Sequence, residues 1–163
     1  MVVFIVDNQL HFIGYVDESS VKEITDQVEL LISHPSDYIE FHISSPGGST
    51  RNAETIIYML STCGKSIHTY IHRTEYYTGV ASAASVIVAS VSHIKHIDSN
   101  ATFLIHHARS TSGPVEDVDD IHFWLQQTDF DYETINELIK AETLLDANAA
   151  LALKFVDDVL VVE

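Results

Sequence analysis

The chain opens on a continuous apolar run, Val2–Val6, followed by an alternating stretch, Leu10–Tyr15. Both predict strands, with Gly14 and Asp17 turning the chain. The period then changes. Val21, Ile24, Val28 and Leu31 recur in steps of three and four, which predicts a helix. Ser20-Val21-Lys22-Glu23 reads as its capping box, and Pro35 follows its end. Tyr38–Ser44 predicts a strand that runs into Pro46-Gly47-Gly48. Ala53, Ile56, Ile57 and Leu60 predict a second helix, stopped by Gly64. Ile67–His72 alternates as a strand, and a polar segment, Arg73–Thr78, leads to Gly79-Val80-Ala81-Ser82-Ala83-Ala84-Ser85. An apolar, small-residue helix continues from there to Ser92. His93–Ile97 and Thr102–His106 read as short strands around Asp98-Ser99-Asn100. Val118, Ile121, Leu125, Thr128, Tyr132, Ile135 and Ile139 then predict one long helix, or two broken near Asp129. Asp146 can cap a last helix to Lys154, and Val156–Val162 reads as a closing strand. Strands alternating with helices imply an α/β fold with right-handed crossovers. There are no repeats, linkers or low-complexity tracts, so 1–163 reads as a single domain.

Charge narrows the function. A formal net charge of −16 over 163 residues argues against nucleic acid, which needs basic patches, and against anionic membranes. A single cysteine, Cys63, allows no internal disulfide and favours a reducing compartment. Met1–Gln9 lacks the basic flank of a signal peptide, and Val80–Val91 is too short to span a bilayer. The expected location is therefore cytoplasmic, where the glycosylation acceptor Asn100-Ala101-Thr102 stays unused. Ten histidines invite a metal. However, His93 with His96 and His106 with His107 complete no Cys/His/carboxylate set of zinc spacing, so neither a metal nor another cofactor is expected.

Three short stretches carry chemistry. A serine at a strand-to-helix turn presents its hydroxyl free of neighbours, beside the unpaired N–H groups and partial positive charge of the new helix. Ser82 and Ser85 are both placed to be that serine. Small residues at a buried helix start also serve packing alone. Pro46-Gly47-Gly48 after a strand lets backbone N–H groups approach a ligand closely, although the same tripeptide makes a plain turn. In Leu104-Ile105-His106-His107, neighbours on a strand face opposite ways, so one histidine of the two can face the serine.

These stretches resemble a known family, the Clp protease proteolytic subunit, ClpP. Ile43-Ser44-Ser45-Pro46-Gly47-Gly48-Ser49 is similar to its strand-turn, and Ala81-Ser82-Ala83-Ala84-Ser85-Val86-Ile87 to the nucleophile segment of phage-type members. Leu104-Ile105-His106-His107 is similar to its Met-Ile-His-Gln, and Phe155-Val156-Asp157 to its closing Gly-Leu-Val-Asp. The resemblance runs from about Gly14 to Val161. It implies a ClpP/crotonase-like fold of repeated ββα units, with 114–141 as a shortened helical handle. It also implies a serine endopeptidase with Ser82 as nucleophile, His106 as base, and the N–H groups of Gly48 and Ala83 as oxyanion hole. Glu142 falls at the acid's place, with Asp146 as the alternative. The implied setting is a homo-oligomeric heptameric ring, possibly stacked as two. The ring would act on unfolded polypeptides with a possible AAA+ unfoldase, in a bacterial host if phage-encoded.

The sequence departs from the family pattern in three places. The N-terminal axial segment is reduced to Met1–Gln9. Arg73–Thr78 looks like an insertion. Arg109–Val115, with Gly113 and Pro114, replaces a glycine-rich strand. A ring protein that has lost activity and a crotonase-type acyl-CoA enzyme are the competing readings, the latter without a basic cluster for CoA phosphates.

Overall fold

The computed structural model describes residues 2–107, 109–110, 113–114 and 118–163, and side chains outside 2–6, 110, 113–114 and 118–122. Residues 111, 112 and 115 of the replaced strand, and the side chains of Val118 and Ile121, lie outside what is described. Strands β1 (Val2–Val6) and β2 (Gln9–Ile13) lead into helix α1 (Glu18–Ile32). Then follow β3 (Tyr38–Ser44), α2 (Thr50–Thr62), β4 (Ser66–Ile71), β5 (Gly79–Ala81) and α3 (Ala83–Val91). β6 (Ile94–Asp98), β7 (Thr102–Leu104), β8 (Arg109–Ser110), β9 (Gly113–Pro114) and α4 (Val118–Gln127) come next. α5 (Tyr132–Lys140), β10 (Leu144–Asp146), α6 (Ala147–Ala152) and β11 (Asp158–Leu160) complete the chain.

Six strands form one sheet in the order β1-β2-β3-β4-β6-β11. β1 is antiparallel to β2, and the remaining pairs are parallel. A second sheet, β10-β7-β5, carries the active-site turn on β5. Single bridges tie the strand-turn after β3 to this region, Ser45 to Val80, and to the chain after β2, Gly48 to Val16. This is the expected α/β class with a mainly parallel main sheet.

The core follows from the two periodicities. Leu10, Phe12, Ile39, Phe41, Ile43, Ile67 and Ile71 alternate onto one face of the sheet. There they form one cluster with Ile24, Val28 and Leu31 of α1 and Ala53, Ile56 and Leu60 of α2. The nearly all-apolar α3 buries Ala84, Ile87 and Val88 completely. A second part of the core is aromatic. Phe103 lies 6.1 Å from Trp124 and 5.5 Å from Phe155, ring centre to ring centre, joining β7, α4 and the chain after α6.

Several expected boundaries move. The capping box sits three residues earlier than Ser20-Val21-Lys22-Glu23. Asp17 is the N-cap, accepting from the Ser20 N–H at 2.8 Å, while Ser20 Oγ accepts from the Asp17 N–H at 2.9 Å. An aspartate is as good a cap as a serine, and Ser20 is buried inside the first turn. The long helical pattern divides near Asp129, where Asp131 caps α5 by accepting from Thr134 N–H. β7 ends at Leu104, two residues short of His106. β5 and β10 are strands that short, polar-flanked sequences do not announce. The apolar face read along this region is no free surface: Ile135 and Ile139 are fully buried within the protomer, and Leu125 packs against the core.

Truncating Phe103 tests the aromatic junction. Phe103→Ala should cost about 3–5 kcal/mol of unfolding free energy in urea denaturation. A cost below about 1 kcal/mol would mean that β7 is not held through this ring.

Candidate active site

The turn between β5 and α3 holds Ser82 at φ 56°, ψ −129°. Positive φ is unfavourable for a side chain with a Cβ, by roughly 1–3 kcal/mol, and persists only where surroundings fix it. Here they do. Ala81 N–H donates to Ser45 C=O at 3.1 Å and Ser82 N–H to Leu104 C=O at 3.3 Å. Val86 N–H then closes the first helical turn on Ser82 C=O at 3.2 Å. The Ser82 hydroxyl makes no capping bond to the helix it begins. A strained serine at the tip of a strand-to-helix turn, its Oγ uncommitted to the helix, has the form of a nucleophile elbow.

Ser85, the competing serine, is fully buried and its Oγ donates to Leu104 C=O at 2.7 Å. It fastens α3 to β7.

The glycine turn packs directly on this serine. A Cβ on Gly47 would lie 2.6 Å from Ala81 O, 2.8 Å from Ser82 Cβ and 3.0 Å from Ala83 N. Gly47 spends its N–H on Ser45 Oγ, at 3.1 Å. Gly48 sits against Val16, whose carbonyl oxygen would be 2.4 Å from a Cβ there. The bridge to Val16 uses Gly47 C=O and Ser49 N–H, each at 2.9 Å. The N–H of Gly48 is thus outside that ladder and has no acceptor among the described residues. Ala83 is the first residue of α3, and the first N–H groups of a helix have no intrahelical partner.

His106 lies after β7 and lines one cleft with Ser82 and Ala83. Its Nδ1 is hydrogen-bonded to the carbonyl of its neighbour His107. A carbonyl only accepts, so Nδ1 carries the proton and Nε2 is left as the basic nitrogen. His107 is buried and does not line the cleft. The apolar wall consists of Ala53 and Ile57 from α2, Val86 from α3, and Phe123 and Trp124 from α4. Phe123-Trp124, adjacent aromatics in an acidic helix, were the one sequence signal for this wall.

The two candidate acids have partners of their own. Glu142 occupies the left-handed position after α5, at φ 49°. Its N–H donates to Ile139 C=O and that of Thr143 to Leu138 C=O, the paired bonds of a Schellman cap. Its half-exposed carboxylate pairs with Arg109. Asp146 caps α6 by accepting from Ala149 N–H at 2.8 Å. Of the histidines considered for metal, His93 Nδ1 accepts from Ile67 N–H at 3.0 Å and His96 pairs with Asp158 at 3.3 Å. Among the described residues no group of three or more His, Cys, Asp or Glu side chains is placed to hold a metal ion. Nor is any described helix long and apolar enough to cross a membrane.

The chain is similar to solved ClpP structures. With the ClpP protease catalytic domain from Plasmodium falciparum it shares 22% identity at a TM-score of 0.73, over 92% of this chain and 83% of that one. With ClpP1 from Listeria monocytogenes it shares 18% identity at a TM-score of 0.76, over 96% of this chain and 93% of that one. A mutant form of the Listeria protein gives 0.78 at the same identity and coverage. Identities this low speak for the fold. No curated protein matches. The family model described as Clp protease matches residues 3–163, and on that match over nearly its whole length the chain belongs to the Clp protease family.

Proposed function

We propose that the chain is a serine endopeptidase that cleaves unfolded polypeptides inside a homo-oligomeric ring. The observation that carries this reading is the backbone of Ser82, strained to positive φ and sharing a cleft with His106. Ser82 Oγ attacks the peptide carbonyl while His106 Nε2 takes its proton. The N–H groups of Gly48 and Ala83 receive the developing oxyanion, one such donor being worth roughly 3–4 kcal/mol in related chemistry. The imidazolium then passes the proton to the leaving amine, and water releases the acyl group by the same route in reverse. The apolar wall from Ala53 to Trp124 receives a substrate side chain.

The expected acid, Glu142, is engaged by Arg109, so the reading gives the orienting role to the carbonyl of His107. A neutral carbonyl fixes the tautomer as an acid would but stabilises imidazolium less. That same observation favours a second reading, an assembly protein of this family with weakened catalysis. Family membership supports the heptameric ring, the possible stacking of two and an AAA+ unfoldase partner. Ile135 and Ile139 are buried within the protomer, so they add no exposed apolar surface for ring contacts.

An active-site fluorophosphonate should label Ser82, and Ser82→Ala should abolish both labelling and peptide hydrolysis. Ser85→Ala should keep the label, because that hydroxyl is buried on Leu104; mapping of the label to Ser85 would refute the assignment. Glu142→Gln should leave the labelling rate within about twofold, whereas removing a true triad acid costs on the order of 10⁴. A loss of that order would return Glu142 to the triad. Light scattering across salt concentrations should find rings, and a monomer at every salt concentration would sink the oligomeric part alone.

A further inference from the structure

The face of the main sheet turned away from the helices carries a row of rings in register. His11 on β2 pairs with His42 on β3, His42 with Tyr70 on β4, and Tyr70 with His96 on β6. The rings stack at 4.4, 4.8 and 4.7 Å along this row. Across the row runs a chain of hydrogen bonds the catalytic reading does not use. His42 Nδ1 faces His72 Nε2 at 2.8 Å, with ring planes within 4° of parallel. His72 Nδ1 in turn faces Asp98 Oδ2 at 2.8 Å, and His42 Nε2 lies 3.4 Å from Glu40 Oε2. Asp98 is buried, and Glu40 also accepts from Gln9 Nε2 at 2.8 Å.

Proton counting along this chain gives it a threshold. An ionised Asp98 accepts from His72 Nδ1–H. His72 Nε2 then accepts from His42 Nδ1–H, which leaves His42 Nε2 bare towards Glu40. One further proton fits there, between imidazole and carboxylate, and every bond survives. A second cannot fit. With both rings protonated, Nδ1 of His42 and Nε2 of His72 each carry a hydrogen and the 2.8 Å contact becomes donor against donor.

The position of the chain matters as much as its chemistry. His42 ends two residues before Ser44-Ser45-Pro46-Gly47-Gly48. His72 opens the segment that leads to Ser82, and Asp98 closes β6. His72 N–H donates to Ile43 C=O at 3.0 Å, and Ser44 Oγ meets Thr74 Oγ1 and Tyr77 C=O, each at 3.4 Å.

We propose that Glu40, His42, His72 and Asp98 form a proton-gated latch on the strand ends that lead to the active-site turns. It is closed while the two imidazoles share at most one extra proton and open when both are protonated. The groups facing His42 are His11 from β2, Glu40 on its own strand, Tyr70 from β4, His72 just after β4, and Asp98 beyond His72. His96 and its partner Asp158 lie one ring further along, and His68, stacked on Tyr38, flanks the row. Burial, then the nearby His11 and His72, lower the His42 pKa to about 4, against the opposing pull of Glu40. His11 is lowered too, by burial first and His72 second. An unfolded chain protonates His42 near its ordinary 6.5. The folded state therefore binds fewer protons between about 6.5 and 4 and loses stability as pH falls through that window.

Hydrogen exchange on the full chain tests the latch without reference to activity, so it stands or falls apart from the role of Ser82. After correction for intrinsic rates, protection over 42–48 and 71–78 should drop roughly tenfold as pH falls from 7 to about 3, what one lost hydrogen bond is worth, while α1 stays protected. His42→Phe keeps a ring between His11 and Tyr70 and removes the proton site, so it should abolish the pH dependence. An unchanged wild-type profile, or the same drop in His42→Phe, would overturn the proposal. Should that variant not fold, nitrogen-15 spectra of the wild-type imidazoles decide. At pH 7 the facing nitrogens should be of opposite type, one protonated and one not, and two alike would refute the latch.

Discussion

The whole site depends on two pieces of backbone coming closer than side chains permit. The turn after β3 and the turn before α3 meet at Gly47 and Ser82, where there is no room for a Cβ on the glycine. That contact has two consequences. It places the amide of Gly48 on the side where the first amides of α3 emerge. It also lets the strained Ser82 backbone be held from both sides, by Ser45 and by Leu104. Strain of this kind relaxes unless its neighbours over-determine it. The parallel sheet supplies that rigidity, because β3, β4 and β6 end at the same edge and each delivers a different part of the site.

How much of this could be read from the chain itself follows the range of the interactions. The strands and helices of the core were legible because Leu10, Phe12, Ile24, Val28, Ile39 and Phe41 repeat with the period of their elements. The serine turn was legible because small residues and glycine announce a close backbone approach. The different surroundings of Ser82 and Ser85 needed the fold, since one carbonyl at Leu104 ties down the Ser85 hydroxyl and nothing in the sequence marks that carbonyl as an acceptor. The surroundings of the expected acid needed the fold for a similar reason. The left-handed cap of α5 and the guanidinium of Arg109 set where the Glu142 carboxylate goes, and nothing in the sequence marks either. The apolar stripe of α5 shows a third limit: a helical stripe says that a face is buried, not against what, and Ile135 and Ile139 are buried within the protomer.

The histidine face shows the same limit from the other side. Five of its rings are polar or amphipathic residues at alternate positions of strands, which reads as a solvent-facing surface. Only the parallel register puts His11, His42, Tyr70 and His96 in one row, and only side-chain geometry turns a row into a hydrogen-bonded chain. A surface rich in imidazole in a chain of strong negative charge gives the protein a titrating layer over an otherwise permanently charged exterior.

The carbonyl of Leu104 receives both the amide of Ser82 and the hydroxyl of Ser85, and it stands two residues before His106. The Ser82 turn and, two residues along the chain, His106 thus share one anchor. If β7 shifts, they shift together, and their separation is buffered against breathing of the rest of the domain. The glycine turn has a second tie, since Gly48 is bridged to Val16 and so to the first third of the chain. A displacement of that part of the chain therefore arrives at the Ser82 turn through Gly47, where there is no slack even for a Cβ.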